Sequence, residues 1–183
     1  MRVITGSARG RRLKELQGME TRPTTGKVKE CLFSIIQFDI EGRRVLDLFA
    51  GTGQLGIEAL SRGAAEAVFV EKRMDAVRLV KENLALCQLQ EKAKVHAGDS
   101  LAYLRSGEKF DLIFLDPPYG SDLLEQALGM IATFDICRAH GIIVAESAAD
   151  KVLPAMPAPY RLYREYRYGQ IKLTVFHRDG NED

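Results

Sequence analysis

The sequence predicts an α/β fold, a three-layer sandwich in which helices cover both faces of a mostly parallel sheet and a C-terminal hairpin adds an antiparallel edge. Three observations point there. Strand-like apolar runs alternate with amphipathic helical segments through the middle of the chain, a glycine-rich turn joins one of those strands to a helix, and two β-rich runs lie at the end. Strands separated by helices pair in parallel, because a crossover long enough to contain a helix returns the chain to the same edge of the sheet.

The elements follow in order. "RVITGSARGRRLKEL" reads as a small basic hairpin or extended arm within residues 1–20. In the next region, 21–40, "TRPTTGKVKECLFSII" contains Thr24 or Thr25 as a helix cap and sets Val28, Cys31, Leu32 and Ile35 on one face. The core, 43–178, opens with the strand "RRVLDLFA" (43–50), a glycine turn and the helix "QLGIEALSRG", which Gly63 stops. "AVFVE" (67–71) is the second strand. A long helix follows through "DAVRLVKENLALCQL", with Ala76, Leu79, Val80, Asn83, Leu84 and Cys87 at helical spacing. "AKVHAGD" is a strand, "SLAYLR" a short helix, "FDLIFL" a strand, "LLEQALGMIATF" a helix and "GIIVAES" (141–147) a strand. "YRLYREYRYG" and "QIKLTVFHR" join at Tyr168-Gly169 as a hairpin. Without repeats or low-complexity linkers, 1–183 reads as one domain with a short N-terminal appendage.

A hydrophobic content of 46% beside 28% charged residues is that of a globular protein and excludes a disordered chain. The opening residues hold no apolar run for a signal peptide and no window has the length of a membrane span, so a cytoplasmic protein is expected. Cys31, Cys87 and Cys137 are scattered without metal-ligand spacing, and His96, His140 and His177 are isolated, so neither a metal site nor a disulfide framework is expected. The net charge of +1 hides an asymmetry. Residues 1–29 carry eight Lys or Arg against two acids, 30–150 twelve against nineteen, and 151–178 six against one. If folding brings the basic ends to one face, they form a footprint for a polyanion.

"VLDLFAGTGQLG" places Gly51, Gly53 and Gly56 in GxGxxG spacing at a strand-to-helix junction, a geometry that nicotinamide, flavin and other nucleotide folds share. Glu71, twenty residues after Gly51 at the end of the next strand, is where a carboxylate accepts from both ribose hydroxyls. Asp47 discriminates. A carboxylate in that crevice opposes a pyrophosphate but suits a ligand bearing an ammonium and a sulfonium, as S-adenosylmethionine does. Asp99, in "GDS", ends the third strand where an acid reaches the adenine amine, although an Asp before Ser also reads as a helix cap.

"FDLIFLDPPYG" stops a strand abruptly, since prolines fix φ and cannot donate to a ladder. An exocyclic amine on a nucleobase is a poor nucleophile because its lone pair is delocalised into the ring. An enzyme that methylates it grips the N–H groups and leaves the lone pair in line with the donor. Asp116 and the Pro117 carbonyl supply two fixed acceptors, and Tyr119 a ring on which a base taken out of its stack can lie.

These segments, "DLFAGTGQLGIEAL", "FVEKRMDAVRLVKENL", "GDSLAYL" and "FDLIFLDPPY", with "TRPTTGKVKECLFSII" before and "YGQIKLTVFHR" after, resemble the RsmD family of 16S rRNA guanine-N2 methyltransferases over nearly the whole chain. The resemblance implies a Rossmann-like, class I methyltransferase fold with seven strands, S-adenosylmethionine as donor, and one guanine of 16S rRNA, number 966 in the usual rRNA numbering, as target. It further implies rRNA within a small-subunit assembly particle as the partner, and since no exposed apolar helix face demands another chain, a monomer is expected. Carried over by motif position, Asp47, Ala50, Gly51, Thr52, Gly53, Glu71, Lys72, Asp99 and Ser100 contact the cofactor. Asp116, Pro117, Pro118 and Tyr119 hold the base. Charge, not motif position, makes Arg9, Arg11, Arg12, Lys14 and Arg22 of the basic N-terminal region the candidate RNA contacts, beside the plainer reading of a solvated arm. Lys29 stands where the family usually has arginine, keeping the charge but losing a bidentate donor. The DPPY motif is shared with adenine-N6 methyltransferases, which leaves adenine methylation as an alternative. A nicotinamide-dependent oxidoreductase or a non-catalytic binding module of the same fold is a more distant one.

Overall fold

The computed structural model describes residues 1–16 and 24–180. Its helices are α1 (Thr24–Ile35), α2 (Gln54–Ser61), α3 (Met74–Cys87), α4 (Ser100–Tyr103) and α5 (Leu123–Phe134). Its strands are β1 (Arg44–Asp47), β2 (Glu66–Glu71), β3 (Ala93–Ala97), β4 (Phe110–Leu115), β5 (Cys137–Ala148), β6 (Tyr160–Tyr168) and β7 (Ile171–Arg178). They form a seven-stranded sheet in the order β3-β2-β1-β4-β5-β7-β6. The first five strands run parallel, while β7 is antiparallel to both β5 and β6.

Alternation along the strands sends successive side chains into two cores. Val45 faces the one built on α1, α2 and α3, with Leu32, Ile57 and Val80, whereas Leu46 faces the one built on α5, with Leu124 and Leu128. Helix α2 lies so close to the sheet that a Cβ on Gly56 would fall 2.3 Å from the Phe69 ring, which is why the third glycine of the loop is a packing requirement. The chain steps outward from β1 to β2 and β3, then returns to β4 on the other side of β1. That reversal opens a crevice above the carboxyl ends of β1 and β4.

The N-terminal arm is part of the packed structure. Val3, Ala8 and Leu13 are buried in the same core as α1 and α2, and Arg2 and Arg12 pair as an isolated antiparallel bridge. Fully buried Glu58 of α2 accepts from the backbone N–H groups of Ile4 at 2.9 Å and Thr5 at 3.0 Å. The Lys29 ammonium lies 3.0 Å from Glu58 Oε2 and donates to the Arg2 carbonyl at 3.2 Å. Burial pulls the Lys29 pKa down, and the Glu58 carboxylate opposes that change. Lys29 is therefore a clamp between arm, α1 and α2, a use that the missing guanidinium fork does not impair.

Two details differ from the sequence reading. Strand β5 begins at Cys137, which pairs with Phe110 before a register shift carries the ladder to Leu112 and Ile142. The polar Arg138 and His140 in this stretch, the latter at φ 61°, hid it from an apolar pattern. On α1 the buried face is Val28, Leu32 and Phe33, continued by Ile36 just past its end, with Cys31 and Ile35 at its margin. Inward-facing Lys29 rotates the stripe.

Candidate active site

A cavity of about 610 Å³ occupies the crevice, within the range of small-molecule sites. Asp47, at the end of β1, lines it while only 2% exposed, and accepts from the Gly56 N–H at 3.0 Å. Burial pushes its carboxyl up to about 7, and the nearby Glu71 carboxylate adds to the rise, against the Gly56 hydrogen bond. A cation delivered to this spot would restore the charged form.

Across the crevice, Glu71 at the end of β2 accepts from the Gly51 N–H at 2.9 Å and the Arg73 N–H at 2.8 Å. The acid thereby ties the glycine loop to the next strand. Ala50, Gly51, Thr52 and Lys72 line the cavity with it. Gly53 does not line it. It stands at φ 80° ahead of α2, and a Cβ there would come within 3.2 Å of Val80, so its place is the turn itself. Asp99 caps α4, accepting from the Ala102 N–H at 2.9 Å, and it also lines the cavity, so the cap leaves the acid facing the crevice. Ser100 lines it too, and its hydroxyl donates to the Leu48 carbonyl at 2.6 Å, fixing the β3–α4 junction to β1.

Strand β4 ends at Leu115 and the proline corner follows. Asp116, Pro117, Pro118 and Tyr119 line the same cavity as the glycine loop. The Tyr119 hydroxyl donates to Glu146 Oε1 of β5 at 3.0 Å. The loop beyond is held by Lys151, whose ammonium donates to the Ser121 carbonyl at 2.9 Å and pairs with Glu125 at 2.9 Å.

Of the lining residues that sequence reasoning missed, Glu146 and Gln54 bear most on the chemistry. Glu146 sits in an apolar-looking strand, and only the pairing of Ala145 with Leu115 brings it beside the corner. Gln54, the first residue of α2, lines the cavity with a buried Oε1 that has no hydrogen-bond partner in the structure. A buried acceptor left without a partner among the described residues is costly, and it fits a ligand bearing N–H donors such as an α-ammonium. Together with the Asp47 and Glu71 carboxylates, the lining fits S-adenosylmethionine.

The proposed RNA contacts lie elsewhere. Arg9, Arg11 and Arg12 are exposed on the arm, and Lys14 is held in a half-exposed pair with Glu82 at 2.7 Å. Arg22 lies outside the described residues. Met1, Glu15 and Leu16 of the arm and Ile171 of the β6–β7 hairpin line the same cavity, so the two basic ends of the chain meet at it. Among the described residues no group of three His, Cys, Asp or Glu side chains is placed to hold a metal ion, and no helix is long and apolar enough to cross a membrane.

Comparison with known proteins agrees with this geometry. YlbH of Bacillus subtilis is 41% identical over 184 residues, covering 98% of this chain and 100% of that protein. Ribosomal RNA small subunit methyltransferase D of Escherichia coli strain K12 is 33% identical over 180 residues, covering 98% of this chain and 90% of that one. The solved structure of yhhF from Escherichia coli superposes with a TM-score of 0.89 at 31% identity, covering 99% of both chains. The model of the family described as Conserved hypothetical protein 95 matches residues 1–177. The chain belongs to that family, the RsmD family, and has the fold of class I methyltransferases.

Proposed function

We propose that this protein transfers a methyl group from S-adenosylmethionine to the exocyclic N2 amine of one guanine in the rRNA of the small ribosomal subunit. The observation that carries the reading is the shared cavity, in which the Asp47–Gly51–Glu71 wall and the Asp116–Tyr119 corner face one space. Donor and acceptor can therefore lie against each other without rearrangement. A small-subunit rRNA substrate is supported by the name of the Escherichia coli relative.

S-adenosylmethionine supplies an electrophilic methyl group on a sulfonium. Asp47 and Gln54 bind its ammonium end, Glu71 its ribose hydroxyls and Asp99 its adenine amine. Asp116 and the Pro117 carbonyl each accept one N–H of the guanine amine, which turns the nitrogen lone pair toward the methyl carbon, and Tyr119 supports the base plane. Bound there, S-adenosylmethionine would give up its methyl carbon to the nitrogen so held, the electron pair of its S–C bond staying on sulfur. The amine then gives up one proton, by way of the Asp116 carboxylate, to water. The exposed arginines of the arm hold RNA phosphates. The protein acts as a cytoplasmic monomer on rRNA in an assembling particle.

Methyl transfer from isotopically labelled S-adenosylmethionine, offered to naked small-subunit rRNA, assembled subunits and DNA and followed by nucleoside mass spectrometry, tests the reading. N2-methylguanosine in rRNA is expected. N6-methyladenosine in any of the three substrates would replace guanine by adenine as the target, and binding of the cofactor without transfer would leave a non-catalytic module.

A further inference from the structure

The corner that grips an exocyclic amine does not by itself choose between bases, because guanine and adenine both present an NH₂ group. They differ one atom away on the Watson–Crick edge. Guanine carries a donor, N1–H, beside its amine. Adenine carries the N1 lone pair there. A site that selects guanine therefore needs an acceptor-only group beside the amine grip, and an ionised carboxylate is such a group.

Glu146 stands at that place. Ala145 pairs with Leu115 in the parallel β4–β5 ladder, so Glu146, still within β5, stands beside Asp116, the first residue after β4. Neighbouring strands lie about 4.8 Å apart, which brings the two carboxylates within reach of adjacent donors on one base edge. Both line the same cavity. The Tyr119 hydroxyl lies 3.0 Å from Glu146 Oε1 and 3.5 Å from the Ser147 carbonyl, and the shorter contact, to the carboxylate, holds the acid beside the ring proposed to support the base.

We propose that Glu146 accepts the N1–H of the target guanine, so that the cavity takes guanine and rejects adenine. The proposal rests on the guanine-N2 reading above and deepens it. Asp116 and Pro117 hold the reacting amine, while Glu146 reads the neighbouring atom. Adenine placed with its amine in the same grip sets its N1 lone pair against the carboxylate, two acceptors with no proton between them. Sites built to pair one polar group reject the unpaired analogue by large factors, since the buried partner is left unsatisfied.

The test changes N1 while keeping the C2 amine, and the O6 that 2-aminopurine also lacks is lost alike to wild type and variant, so it drops out of their comparison. The site methylated by the wild type is mapped, and small-subunit rRNA is prepared by splinted ligation with either guanine or 2-aminopurine at that position. It is used in the particle if the wild type requires one. 2-Aminopurine keeps the amine at C2 but carries a lone pair at N1. Wild-type enzyme is expected to methylate guanine at least about a hundredfold better, as kcat/KM, than 2-aminopurine. Glu146→Gln, whose amide can donate to an N1 lone pair, is expected to narrow that ratio at least about tenfold. The ratio is taken within each enzyme preparation, so partial misfolding of the variant cancels. Equal losses on both bases, or a wild type that accepts both alike, would overturn the role of Glu146 while leaving guanine-N2 methylation standing. Absence of N2-methylguanosine from the wild-type reaction would overturn both.

Discussion

Asp47 shows how a single side chain serves the site at the expense of the fold. Its carboxyl is raised from the ordinary carboxylate range to about 7, mainly by burial, so the folded protein prefers it protonated. Well below 3.8, the ordinary value of the carboxyl, both folded and unfolded forms are protonated and the group is neutral in stability. As pH rises toward 7 the unfolded chain ionises first, and the penalty grows to a few kcal/mol, since each tenfold difference in proton affinity between the two states is worth about 1.4 kcal/mol. Asp47→Asn keeps an oxygen for the Gly56 N–H. Thermal melts should show it stabilised at pH 8 and far less so at pH 4, while calorimetry shows weaker S-adenosylmethionine binding. Equal melting points at pH 8 would contradict the burial account. Tyr119 carries a second expectation. The sequence shows its ring as a stacking face but not its hydroxyl bond, because Glu146 lies 27 residues away on another strand. Tyr119→Phe keeps the ring and releases the acid, and a hydrogen bond to a charged group is worth about 1.5 kcal/mol or more, so turnover on guanine should fall about tenfold. Unchanged turnover would mean that the bond does not orient the acid.

Among the elements, the arm and the glycine loop are joined by one side chain. Fully buried Asn83 of α3 accepts from the Lys14 N–H at 2.8 Å, and its amide donates to the Lys14 carbonyl at 3.1 Å and the Thr52 carbonyl at 3.0 Å. The helical spacing marked Asn83 as inward-facing, but its partners lie 69 and 31 residues away and left no trace in the local pattern. Asn83→Ala strands these polar groups and should cost about 1–3 kcal/mol of stability. It should also weaken cofactor binding, read by calorimetry, although it is not among the cavity-lining residues. Unaltered affinity would show that the loop holds its shape unaided. The parallel core was legible because alternation and glycine punctuation are local signals. The irregular start of β5 was not, since its pairing with β4 overrides a polar stretch, and neither was the docking of the arm, which depends on Glu58 and Lys29 meeting beneath it.

At the scale of the whole molecule, charge and cavity are arranged together. Residues of the basic arm and of the β6–β7 hairpin border an opening whose walls carry Asp47, Glu71, Asp99, Asp116 and Glu146, an arrangement that under the proposed function would leave phosphates outside and take amines within. Composition showed the two basic ends, but only the topology shows where they meet. Changing exposed Arg11 and Arg12 to alanine should lower RNA affinity and flatten the slope of its logarithmic salt dependence by about one for each lost phosphate contact, with cofactor affinity intact. An unaltered slope would return both residues to the solvated surface. The central claim is that the rigid corner after β4 holds the reacting amine inside the cofactor cavity. Single-turnover methylation of rRNA by Asp116→Asn, at saturating S-adenosylmethionine and RNA, tests it most directly. One carboxylate oxygen becomes a donor NH₂ facing the amine, and the rate should fall at least about a hundredfold while cofactor affinity stays within about twofold. A near-normal rate would contradict the account and reduce the corner to a turn.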